Sequence, residues 1–171
     1  MKLLVAIAPD RYRDEELDNP LAVFRKAGIG FDIASVTTGT CTGMLGGTAH
    51  ASVTFDHADP SLYDGIVIIG GTGSPACLWE NTDLARLVKT LYSEKKVIAA
   101  ICLSPVVLAR AGILRGRKAT LYRTPESLAG MRAGGAVVVQ APVVIDGTVI
   151  TADGPGAATA FGEAIVSALN P

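Results

Sequence analysis

The sequence predicts an α/β fold of three layers, with a mostly parallel central sheet, helices on both of its faces and a small β-hairpin. Two patterns carry the prediction. Short apolar segments alternate with amphipathic helical ones along the chain, the order that builds a parallel sheet through crossover helices. The strand-like segments are apolar at nearly every position rather than every second one, as strands covered on both faces must be. A length of 171 residues then fits one domain over residues 1–171, long enough to bury a core without metals or disulfides.

Residues 2–9, KLLVAIAP, form an apolar run ended by Pro and read as the first buried strand. In the following DEELDNPLAVFRKAG, Leu17, Leu21, Phe24 and Ala27 share one face of a helix that Gly28 closes. Residues 30–37, GFDIASVT, read as a second strand. The segment TGTCTGMLGGTAHASVTF alternates small and apolar residues with glycine punctuation, as an antiparallel hairpin does. Residues 63–71, YDGIVIIGG, form a third strand ending in a glycine pair, and residues 81–96 an amphipathic helix with a polar start and a basic end. KVIAAIC, residues 96–102, is a fourth strand, followed by a helix over 104–111. RGRKATLY supplies a short strand, and TPESLAGMRAGG a short helix with Thr124 as cap and Pro125 in its first position. AVVVQAPVVIDGTVITAD reads as two strands turning at Asp146 and Gly147, and GPGAATAFGEAIVSALNP as the last helix.

A formal net charge of −1 without a basic block argues against nucleic acid and anionic membranes as partners and leaves a small molecule or another protein. The longest apolar stretches are strand-length, so neither a transmembrane span nor a signal peptide is expected. Cys41, Cys77 and Cys102 are too far apart for a zinc knuckle and odd in number, which suits a reducing compartment. The expectation is a cytoplasmic protein without metal or cofactor.

In such sheets ligands gather beyond the carboxyl ends of the strands, where Gly70, Gly71 and Cys102 should meet. Cys102 lies in the pattern A-I-C-L-S. A nucleophile on a tight strand-to-helix turn needs small residues two before and two after it, and Ala100 and Ser104 meet that need. Such a turn would set the sulfur at a helix N-terminus, favouring thiolate, and aim the Leu103 N–H and one from the Gly70 and Gly71 loop at a developing oxyanion. By local pattern alone, Cys102 also reads as a small buried hydrophobe ending an apolar strand.

The segment IAAICLSPVVLARAGILRGRKAT resembles the nucleophile region of the ThiJ/PfpI superfamily, which includes the parkinsonism-associated deglycase and the PfpI-type intracellular proteases. The resemblance extends over nearly the whole chain through DEELDNPLAVFRKAGI, YDGIVIIGG and VITADGPGAATAFGEAIVSAL. It implies a flavodoxin-like sandwich related to class I glutamine amidotransferases, and a homodimer or a higher oligomer. It also gives Glu16, four residues before Pro20, a role: a carboxyl kept protonated by burial that bonds the sulfur and shuttles a proton. Read without it, Glu16 beside Asp14, Glu15 and Asp18 is a solvated acidic helix start, although Leu17 and Leu21 let it lean toward the sheet.

Departures from the family pattern narrow the chemistry. Leu103 stands where PfpI-type members carry a His, and Tyr122 where the deglycase has a downstream His; a phenol of ordinary pKa about 10 donates a hydrogen bond rather than acting as base. Asp153 replaces the usual Arg of the closing segment, and His50 and His57 fall on expected surface loops. Cys77 has the spacing of a resolving thiol or of ordinary loop packing. Three functions follow: a cofactor-independent enzyme on small 2-oxoaldehydes with Cys102 as nucleophile and Glu16 as proton partner; amide hydrolysis, disfavoured by Leu103; and a redox-sensing or chaperone-like role without turnover. The enzymatic reading requires Cys102 in a strained backbone conformation with Glu16 within reach of its sulfur.

Overall fold

In the computed structural model, which describes residues 1–170, a seven-stranded sheet runs in the order β11-β12-β8-β7-β1-β3-β6. Its strands are β1 (Lys2–Ala6), β3 (Gly30–Ser35), β6 (Val53–Thr54), β7 (Gly65–Ile68), β8 (Val97–Ile101), β11 (Val143–Asp146) and β12 (Val149–Ala152). Every neighbouring pair is parallel except β11 with β12, which turn antiparallel at Asp146 and Gly147, where Gly147 adopts φ +64°. Residues of β7, β8 and β12 are buried at each position, as the unbroken apolar runs require.

The faces alternate along each strand. Leu4, Ala6, Ile66, Ile68 and Ile98 pack against α3 (Thr82–Ser93), α4 (Pro105–Arg110) and α5 (Pro125–Ala133). Leu3, Val5, Val67, Ala99 and Ile101 pack against α1 (Asp14–Lys26) and α6 (Ala158–Leu169). The two outer helices α1 and α6 approach closely because Gly162 has no side chain: a Cβ there would lie 3.0 Å from Pro20 Cα. Asn81 caps α3 by accepting from Leu84 N–H at 2.8 Å, and Thr124 with Ser127 forms a capping box on α5.

Two small sheets flank this core. β4 (Gly39–Gly43) and β5 (Thr48–Ala51) form the expected antiparallel hairpin, and β2 (Asp10–Tyr12) adds to it. β9 (Lys118–Ala119) pairs with β10 (Val137–Val138). The first strand is thus shorter than its apolar run: β1 stops at Ala6, and the chain after Pro9 leaves the main sheet to pair with the hairpin. The segment RGRKATLY gives only two strand residues, and β10 separates from β11 instead of extending it. A short helix, α2 (Ser74–Cys77), follows β7 and carries no apolar period that would reveal it. Among the described residues no helix is long and apolar enough to cross a membrane.

Candidate active site

The strand order places the carboxyl ends of β8, β7 and β1 side by side, and each delivers one part of the site. After β8 the chain reaches Cys102 at φ +64°, a left-handed conformation that costs an L-residue about 1–2 kcal/mol. Surrounding bonds hold it there. Cys102 N–H donates to Ala152 O at 2.9 Å, Tyr122 N–H to Cys102 O at 2.9 Å, and Trp79 Nε1–H to Leu103 O at 2.8 Å. Ser104 is fully buried, donates to Ile69 O at 2.7 Å and shares a hydrogen bond with Ser74 Oγ at 2.8 Å. Its hydroxyl ties the elbow to the end of β7 and does not line the pocket.

Beyond β7 lie the two glycines. Gly70 admits no side chain, since a Cβ would come within 2.5 Å of Cys102 Cβ and 2.6 Å of Glu16 Oε2. Gly71, at φ +105°, packs directly on the backbone of residues 11–13. Beyond β1, α1 carries Glu16 with no solvent exposure. Gly70 N–H donates to Glu16 Oε2 at 3.0 Å, while Oε1 has no hydrogen-bond partner of good geometry among the described residues. Cys102 is the thiol in contact with this carboxyl. The solvated reading of Glu16 is therefore overturned. The neighbouring acids are occupied elsewhere, Glu15 with Arg13 at 2.8 Å and Asp14 with the N–H groups of Leu45 and Gly47, both at 2.8 Å.

Burial pushes the Glu16 carboxyl up from 4.5 to about 7, against the pull of the Cys102 thiol and the Gly70 N–H. Burial, then the Glu16 charge, pushes the Cys102 thiol up from 9.0 to about 12, although the N–H groups of Gly71 and Leu103 favour its thiolate. The helix N-terminus expected to favour a thiolate belongs to α4, which has only six residues, and burial and the facing Glu16 carboxylate act against a thiolate at this sulfur. Of the two loop glycines, one is left to face the sulfur beside Leu103. Gly70 N–H is engaged by Glu16, so the N–H groups facing the sulfur are those of Gly71 and Leu103.

The pocket above the sulfur has a volume of about 170 Å³, and Arg13, Met44, Thr72, Tyr122 and Pro155 complete its wall. Tyr122 is thus at the site, half-exposed. Cys77 is not: it packs against the opposite face of the sheet and lines no part of this pocket, which removes it as a resolving thiol. His50 and His57 are exposed and lie outside the pocket. Arg13 and Met44 were not anticipated, since only the fold of the hairpin over α1 brings them to Cys102. No group of His, Cys, Asp and Glu among the described residues could hold a metal ion.

This arrangement defines a class: flavodoxin-like sandwiches with a cysteine on a strained strand-to-helix turn, facing a buried glutamate. The model of the DJ-1/PfpI family matches residues 1–168, and the chain belongs to that family. An uncharacterized protein of Methanocaldococcus jannaschii is 49% identical over 168 residues, covering 98% of this chain and 82% of that protein. A protein named deglycase from Pyrococcus horikoshii is 35% identical over 155 residues, 91% of each chain. The crystal structure of a ThiJ/PfpI domain protein from Brachyspira murdochii superposes with a TM-score of 0.94 at 29% identity, covering 99% of this chain and 96% of that one.

Proposed function

We propose that the protein is a cofactor-independent, Cys102-dependent enzyme acting on small 2-oxoaldehydes and their adducts, in the manner of a glyoxalase or deglycase. The observation that carries this reading is the fully buried Glu16 carboxyl in contact with the Cys102 thiol at the floor of a pocket sized for a three-carbon molecule. The naming of the Pyrococcus horikoshii relative as a deglycase supports it.

With Glu16 raised to about 7 and Cys102 to about 12, the pair gives up its first proton near neutral pH and holds one proton above it. As sulfur adds to the aldehyde carbon of methylglyoxal, the thiol proton passes to Glu16, and the N–H groups of Gly71 and Leu103 donate to the negative charge that develops. Glu16 hands that proton to the new alkoxide, giving the hemithioacetal; as a carboxylate it then takes the proton of the former aldehyde carbon and returns it to the ketone carbon, while the hydroxyl proton moves to the ketone oxygen, leaving a thioester of a 2-hydroxy acid. Water cleaves the thioester, giving lactate and restoring the thiol. Amide hydrolysis is disfavoured, because the His that directly follows the cysteine in PfpI-type members is Leu103 here. The redox-sensing reading has no comparable observation behind it: Cys102 is only 7% exposed at the floor of the pocket.

Lactate formation from methylglyoxal by wild type, Cys102→Ala and Glu16→Gln tests the reading. Turnover is expected in the wild type and lost in Cys102→Ala. No turnover in the wild type, or turnover untouched by Cys102→Ala, overturns it.

A further inference from the structure

Tyr122 forms part of the wall of two cavities. On one side is the pocket over Cys102; on the other is a groove of about 270 Å³ lined by Tyr122, Arg123, Gln140 and Asp153. The segment from 153 to 155 runs along both, with Asp153 in the groove and Pro155 in the pocket. The Tyr122 ring rests beside Gly154, where a Cβ would stand 3.7 Å from Tyr122 Cδ2.

Asp153 is half-buried, and its backbone is held by its N–H on Pro142 O at 3.0 Å. Its carboxylate forms no ion pair among the described residues, whereas Glu15 pairs with Arg13 and Asp146 with Arg117. Arg123 lines the same groove without pairing to Asp153. The two charges are not equivalent toward a ligand. Arg123 is an exposed, long side chain that is screened by water and must give up rotamer freedom to bind. Asp153 is short, partly desolvated and fixed by its backbone, so it is organised before a ligand arrives.

We propose that this groove is a leaving-group subsite in which Asp153 receives the positively charged end, an ammonium or guanidinium, of an adduct whose three-carbon fragment sits over Cys102. The proposal rests on the 2-oxoaldehyde reading of the pocket and specifies its substrate class. In the release step the Cys102 sulfur bonds to the adduct carbon as the carbon–nitrogen or carbon–sulfur bond to the leaving group breaks. The thiol proton, relayed by Glu16, goes to the departing nitrogen or sulfur.

Two measurements on the full chain test this. In the first, Cys102 is modified by methanethiosulfonates bearing trimethylammonioethyl, hydroxyethyl or sulfonatoethyl groups, with rates followed on the Cys102 peptide by mass spectrometry and normalised to 2-mercaptoethanol. The cationic-to-neutral rate ratio should fall about fivefold in Asp153→Asn, as for one partly exposed charge pair, persist in Asp153→Glu, and decline with salt in the wild type. In the second, kcat/KM is compared for the methylglyoxal hemithioacetals of thiocholine, 2-mercaptoethanol and 3-mercaptopropionate, and the same ratio should respond to the same variants. Ratios unchanged in Asp153→Asn, or an anionic preference abolished by Arg123→Gln, overturn the subsite. Asp153-dependent labelling without turnover of any adduct overturns the enzymatic reading and leaves the subsite standing; turnover indifferent to charge and to Asp153 does the reverse.

Discussion

Replacing Glu16 with Gln keeps a carbonyl oxygen for the Gly70 N–H and removes the only titrating carboxyl that touches Cys102, so stability and activity should move in opposite directions. Burial raises the folded-state value of this carboxyl from 4.5 to about 7. Below 4.5 both folded and unfolded chains carry the proton, and the site is neutral in each. Between 4.5 and about 7 the folded chain keeps a proton that the unfolded chain has lost, so stability falls as pH rises. Above about 7 the folded chain holds an ionised buried carboxylate, at a total cost of about 3 kcal/mol. Gln carries no such penalty; the other titrating groups are shared by the two proteins, and Cys102, which the Glu16 charge raises, enters the difference only toward the alkaline end of the range. Urea unfolding at pH steps from 4.5 to 8.5 should therefore show Glu16→Gln gaining about 3 kcal/mol relative to wild type across the range, with unchanged m-values. Over the same range kcat/KM for methylglyoxal should drop by about 10²–10⁴-fold, the usual worth of a positioned proton carrier. Unfolding free energies that stay parallel with pH would refute the burial argument and the assignment of the perturbed proton to Glu16.

Three further outcomes are expected. The kcat/KM for lactate formation should rise with pH to a plateau starting near 7, because the reactive pair holds one proton and the wild-type acid limb belongs to Glu16; a limb near 4.5 or 9 contradicts this. Gly70→Ala places a methyl against Cys102 Cβ and Glu16 Oε2, and should cost about 1–3 kcal/mol in thermal or urea unfolding and remove most turnover. Asp14→Ala takes the acceptor away from the N–H groups of Leu45 and Gly47 at the hairpin tip, which carries the pocket residue Met44. It should cost about 1–3 kcal/mol and raise KM more than it lowers kcat, as steady-state kinetics would show.

Much of the architecture was legible from local pattern. Strands apolar at every position, the Thr124 and Pro125 start of α5, and the Asp146 and Gly147 turn all express constraints met within a few residues, and each is found where expected. The small residues Ala100 and Ser104 likewise marked the tight turn at Cys102, whose backbone is left-handed. The site was legible less completely. Four acids crowd the start of α1, and nothing in their order says that Glu16 alone turns to the sulfur, Asp14 to the hairpin and Glu15 to Arg13. Family resemblance pointed to Glu16; burial against Gly70 accounts for it physically.

The sequence by itself determined the layers, the order of the main-sheet strands and longer helices along the chain, and the positions able to bend sharply, because hydrophobic period and backbone freedom are local properties. Tertiary structure alone decided which strand ends lie side by side, and with them the chemistry. Bringing β8, β7 and β1 together desolvates Cys102 and Glu16 against each other, so the thiol is raised rather than lowered and Gly70 serves the carboxyl rather than an oxyanion. It also sends Cys77 to the opposite face and sets Arg13, Met44 and Tyr122 around the sulfur. Protonation states follow from distance and burial among residues far apart in the chain, and no local pattern records those.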